Sequence, residues 1–258
     1  MKDIIIQKKW KITKKFLEDF LKDTPYKMYL KPVEIKDTNI NCIYKRLLFH
    51  AQNSGRKRNI IKFREYEQQY NDALFNFNPI EVNLKSDIEI KKRLKKYIPI
   101  YIETKNNNEL GAIKQGYIRT IKESAKFLQE FDNTADFINY CHLIINKKGK
   151  NALLSKIQKI YGFGIALSSD FFKELDRSFN CYAKPDVHIT HFISEIFNCD
   201  CSEKAVIEKI DEISSITNDK QYEIDKLIYL ACTYDFYLHK KTRQELIKEI
   251  NSKIKNEV

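Results

Sequence analysis

The chain has 258 residues, of which 43% are hydrophobic and 31% charged, with a formal net charge of +11. That is apolar material enough for one large domain or two modest lobes, and six glycines with five prolines suit long helices better than a turn-rich β architecture. No run of about 18 apolar residues occurs, which excludes a membrane-spanning helix. The positive balance makes nucleic acid the first partner to expect and an anionic membrane surface the second, although abundant lysine, asparagine and isoleucine point to an AT-rich genome that raises lysine everywhere.

Taken in order, Met1 to Lys8 is too short and too soon charged to read as a signal peptide. Ile12, Phe16, Phe20 and Leu21 predict a helix over 10–23, ended at Thr24-Pro25, with a short extended piece over 26–37. Thr38 or Asn39 then caps a helix with Ile43, Leu47 and Leu48 inward, stopping near Ser54-Gly55. Arg56-Lys57-Arg58 is a basic exit: a solvated corner by itself, a phosphate clamp beside nucleic acid. Residues 57–77 read as a helix rich in aromatics that pack a core. Lys91 to Lys96 is the densest basic run, and 99–110 a polar loop. Helices follow near 113–130, 133–145, 203–214, 221–238 and 241–254. The class is all-α. The six cysteines are scattered without metal or cluster spacing and read as reduced thiols of a cytoplasmic protein.

The stretch 153–172 stands apart. Leu153, Leu154, Ile157 and Ile160 recur at helical spacing, as do Ala166, Leu167, Phe171 and Leu175, with Tyr161-Gly162-Phe163-Gly164 between them. Glycines allow positive φ and close backbone approach, and a turn opening straight into a helix points unpaired N–H groups outward, where a phosphate fits. The same pattern also suits an ordinary helical hairpin. Further on, Pro185 disfavours helix at Lys184. Asp186 is placed to cap the next helix, whose apolar face is Val187, Ile189, Phe192, Ile193 and Ile196. Gly164 and Asp186 stand 22 residues apart.

Ile160-Tyr161-Gly162-Phe163-Gly164 followed by Pro185-Asp186-Val187-His188-Ile189 resembles the helix-hairpin-helix DNA glycosylase superfamily. Its members carry a leucine-proline-glycine-x-glycine hairpin and, about twenty residues later, an aspartate in a valine-aspartate-x-histidine context. Leu47 to Asn53, with its Ala51-Gln52 pair, resembles the early helix whose end fills the hole left by a flipped base. Tyr117-Ile118-Arg119-Thr120-Ile121 resembles the start of a central helix. The likeness spans residues 38–200 or so. It departs at Tyr161, where the family has proline, and at Ala166, where the strand-cleaving members have a lysine. The four-cysteine cluster loop is missing, and the span from Gln52 to Tyr117 implies an insertion.

The resemblance implies a two-lobed helical fold and an N-glycosylase of base excision repair acting on double-stranded DNA as a monomer, with neither cofactor nor metal. The lobes would be an N-terminal and insertion part over about 1–112, with the C-terminal helices packing back, and a hairpin part over about 113–200. Asp186 would be the catalytic carboxylate. Gly162, Phe163, Gly164, Gln52, Asn53, His188, Lys147 and Lys148 would touch DNA. Ala166 implies hydrolysis without a covalent enzyme adduct. The alternative is a helix-hairpin-helix protein that binds DNA without catalysis.

Overall fold

The computed structural model describes residues 2–31, 33–52, 63–98, 107–233 and 241–257, with the side chains of 107–116 left aside. Among them every regular element is helical, and no helix is long and apolar enough to cross a membrane. The chain divides into two compact units, residues 1–34 with 172–258 and residues 35–171.

The first unit holds α1 (Lys2–Leu21), the short α2 (Tyr26–Tyr29) and, from the distal half of the chain, α11 (Val187–Phe197), α12 (Glu203–Thr217), α13 (Gln221–Cys232) and α14 (Arg243–Glu257). Its core joins Trp10, Leu17 and Leu21 to Phe192, Ile193, Ile210, Ile228 and Ile250. α1 starts eight residues earlier than the sequence implied. Ile6 extends the buried series Trp10, Thr13, Leu17 and Leu21 one turn upstream, while Lys8, Lys11 and Lys15 face water. The indole of Trp10 donates to Asp219 at 2.6 Å and Lys14 pairs with the same carboxylate at 2.7 Å, tying α1 to the entry of α13. Residues 26–29 form a helical turn instead of extended chain, because Tyr26 is buried at its start.

The second unit holds α3 (Ile40–Ala51), α4 (Glu67–Ala73), α5 (Pro79–Leu84), α6 (Asp87–Tyr97), α7 (Asn107–Leu128), α8 (Thr134–Lys148), α9 (Lys150–Ile157) and the larger part of α10 (Ile165–Lys173). Asn39 caps α3 by accepting from the Asn41 amide at 2.9 Å. α3 packs on α7, with the buried Tyr44 hydroxyl donating to Ile121 O at 2.8 Å. The Lys91–Lys96 run lies on α6, with its four lysines exposed. Arg93 is structural: it donates to the carbonyls of Ala73 and Asp72 and lies 3.8 Å over the Phe75 ring.

The expected aromatic helix over 57–77 is interrupted. Phe75, Asn76 and Phe77 all adopt left-handed φ of 53 to 56°, a conformation that costs about 1–2 kcal/mol per residue. Burial of Phe77 and the bond from the Asn76 amide to Asn71 O hold the bend in place. α7 begins at Asn107, inside the expected polar loop, and α13 ends at Cys232. The basic exit 56–58 lies outside the described residues.

Candidate functional site: a glycine hairpin and a capping aspartate

In the second unit, α8 ends at Gly149, whose φ of +81° breaks the helix and starts α9 in a new direction. α9 closes one turn before the position implied by Ile160, yet Leu153, Leu154, Ile157 and Ile160 are all buried as their spacing requires. The turn continues through Ile160 O, which accepts from the Phe163 amide at 3.1 Å. Gly162 sits at φ +89°, so an L side chain there is strained. Phe163 is buried, pinning the turn from below, while Gly162 and Gly164 face water.

α7 clasps this turn at Tyr161. The Thr120 hydroxyl donates to Tyr161 O at 2.8 Å, Glu123 accepts from the Tyr161 amide at 2.6 Å, and Arg119 lies 4.8 Å over the exposed Tyr161 ring while bonding Glu123 at 2.7 Å. A proline at 161 would have no N–H for Glu123 to accept, so the tyrosine at this position has a local use. Gly164 O receives both the amide and the hydroxyl of Ser168, at 3.0 and 2.8 Å, which starts α10. The amides of Gly164, Ile165 and Ala166 have no hydrogen-bond partner among the described residues. They are the open donors of a helix start, with the positive end of the helix dipole behind them. Lys147 and Lys148 are exposed in the last turn of α8, a place that also suits them to that helix's negative end.

In the first unit, the chain makes a tight turn at Pro185, closed by the Asp186 amide donating to Lys184 O at 2.8 Å, and Val187 beyond it is exposed instead of lying on the apolar face of α11. Asp186 Oδ1 accepts from the amides of His188 at 2.9 Å and Ile189 at 3.1 Å, so the sequence reading of a cap holds. Oδ2 has no hydrogen-bond partner among the described residues, and the side chain is half-buried. His188 is also half-buried, edge-on to Tyr229 at 6.2 Å, with a buried Nδ1 that has no partner among the described residues.

A pair invisible to sequence reasoning lies behind Asp186. Lys173 and Asp225, 4% and 1% exposed, meet at 2.5 Å, and the same Asp225 oxygen accepts from the Lys184 amide at 2.7 Å. Burial pushes the Asp225 carboxyl above the usual carboxylate range. Lys173 and the Lys184 amide pull against that shift, and the nearby Asp186 charge adds to it. Burial likewise pushes the Cys232 thiol up to about 12, with a contribution from Asp186. The 225–232 face of α13 is thus the electrostatic surrounding of the capping aspartate. In the second unit, His50 Nδ1 lies 3.3 Å from Asp170 on α10, both buried. Neither pair carries a sequence motif; each joins residues 52 and 120 positions apart.

Gln52 caps the C-terminus of α3 and is 2% exposed, beside the Tyr70 hydroxyl. A wedge role for it in DNA would require that end of α3 to open. Asn53 lies outside the described residues. None of the six cysteines forms a disulfide among the described residues, and among the same residues no group of three His, Cys, Asp or Glu side chains converges as a metal site does. No family model, curated protein or solved structure matches this chain.

Proposed function

We propose that this protein is a DNA N-glycosylase that hydrolyses the bond between a flipped base and its deoxyribose, with Asp186 as the catalytic carboxylate. The observation that carries the reading is the division of labour on Asp186. One oxygen is committed to two helix amides, which fixes the orientation of the carboxylate. The other is left for chemistry.

A base within a duplex is out of reach, so the nucleotide must leave the stack at a cost of a few kcal/mol. The open amides at Gly164, Ile165 and Ala166 suit a backbone phosphate, with Lys147 and Lys148 of the same unit adding charge. As the C1′–N bond breaks, its electron pair leaves with the base and positive charge grows on the sugar. Asp186 Oδ2 faces that charge and accepts a proton from the water whose oxygen bonds C1′. A unit charge pair at about 4 Å and an effective dielectric of about 20 is worth roughly 4 kcal/mol, about a thousandfold in rate. The position used for an amine nucleophile in the resembling family is Ala166, so the product is an abasic site without strand cleavage.

The experiment is base release from duplexes carrying a panel of oxidised, alkylated, mismatched and otherwise modified bases, with abasic sites opened by hot alkali. Asp186→Asn is expected to bind DNA and to lose about a thousandfold in rate. It should melt close to wild type, because asparagine caps a helix as well as aspartate. Full activity in Asp186→Asn would refute the assignment. Steep salt-dependent binding by both proteins without base release from any duplex would favour the non-catalytic DNA-binding reading.

A further inference from the structure

The first unit carries a groove that the hairpin reading does not use. It runs between α11 and α14 with a volume of about 590 Å³. One wall is the α14 series Arg243, Lys248 and Lys255, interleaved with the amides of Gln244 and Asn251. The facing wall brings His191 and one acid, Glu195. A capping box begins α14: the Thr242 amide bonds Glu245 at 2.6 Å, and the Glu245 amide returns to the Thr242 hydroxyl at 3.3 Å. Glu249 is held by Lys241 at 2.7 Å. The acids of α14 near the groove are therefore engaged elsewhere, and among the described residues Arg243, Lys248 and Lys255 form no ion pair.

The groove leads to the capping aspartate. Arg243 Nη1 donates to Val187 O at 2.9 Å, and Val187 follows Asp186 directly. From Arg243 to Lys255 the helix advances about 18 Å, which matches about five base-pair steps along a duplex. A solvated face has no need for three unneutralised cations along one groove wall, interleaved with neutral donors, opposite a single acid. A phosphodiester backbone does, because each of its charges takes one cation and its remaining oxygens take neutral N–H donors.

We propose that the α11–α14 groove is a second DNA-backbone site, holding one strand of a duplex. The inference rests on the DNA reading above but not on its catalytic part. The test is the salt dependence of binding to a short undamaged duplex between about 50 and 200 mM salt. Lys248→Gln with Lys255→Gln removes two exposed cations and is expected to reduce the slope of log K against log salt by about 1.8, since each phosphate contact contributes about 0.9. Adding Arg243→Gln should take off about 0.9 more. The lysine pair keeps the test valid if the Arg243 change, which breaks the Val187 contact, unfolds the unit.

Lys27→Gln with Lys204→Gln, an equal charge loss at exposed positions of the same unit, is expected to leave the slope unchanged. An unchanged slope in the groove variant, or an equal fall in this control, overturns the groove. A wild type that binds with a steep slope lowered only by the groove variant, yet releases no base from any duplex of the panel, keeps the groove and favours the non-catalytic DNA-binding reading. A wild type that releases a base with a slope indifferent to Lys248 and Lys255 refutes the groove alone.

Discussion

Replacing Lys173 by methionine probes the support behind Asp186. Lys173 and Asp225 are buried and 2.5 Å apart, and the second oxygen of Asp225 has no partner among the described residues. Without the ammonium, Asp225 keeps only the Lys184 amide. Removing one member of such a pair costs about 3–5 kcal/mol, a large part of the roughly 5–15 kcal/mol that holds a domain together. The assay is urea unfolding followed by tryptophan fluorescence. Trp10 is the single tryptophan and lies buried in the core of the same unit. At about 2 kcal/mol per molar urea, the midpoint should fall by roughly 2 M at pH 7.

The deficit has a sign in pH. Asp225 titrates above its ordinary 3.8 in the folded state, and loss of Lys173 raises it further. Such a group favours the fold below its unfolded pKa, and this contribution is lost as pH rises through the folded value. The deficit of Lys173→Met should therefore shrink toward pH 4 and be largest near neutrality. The double variant Lys173→Met with Asp225→Leu should recover most of the loss, since no buried charge remains. A deficit under about 1 kcal/mol, one independent of pH, or a double variant worse than the single would refute the reasoning.

Gly162→Ala should cost about 1–2 kcal/mol, because alanine is strained at φ +89°, and should weaken duplex binding; chemical denaturation and a binding titration check the two effects, and an unchanged stability would mean the turn relaxes freely. Acid should lower the urea midpoint. Bonds to Ser86 hold Glu89 below its usual range, bonds to Thr242 hold Glu245 below its own, and Lys2 and Lys209 do the same for Glu212. Each depressed carboxylate contributes above its unfolded pKa, and its contribution is lost as pH falls through the folded one. The fall below about pH 4.5 should be shallower in Glu89→Gln with Glu245→Gln, as a urea midpoint measured across that range will show.

The hairpin and the cap were legible in the sequence because both are local. Glycine at a positive φ, buried leucines and isoleucines three and four apart, and an aspartate after a proline act within a few residues of chain. Helix class was legible for the same reason, and boundaries drifted only where packing extended a pattern, as Ile6 does for α1. What surrounds Asp186 was not legible. Asp225 and Lys173 look in sequence like any charged residues, and what makes them a buried pair is the packing of the first unit, which brings together positions 52 residues apart. Likewise Gln52, which the resemblance implies touches DNA, is buried by packing beside Tyr70 that local sequence does not encode. The joining of residues 1–34 with 172–258 in one unit, and the alignment of α14 against α11 that turns scattered lysines into one wall of a groove, are tertiary facts. Burial, and with it the energy of a charge, depends on which distant helices meet, and local chemistry does not encode that meeting.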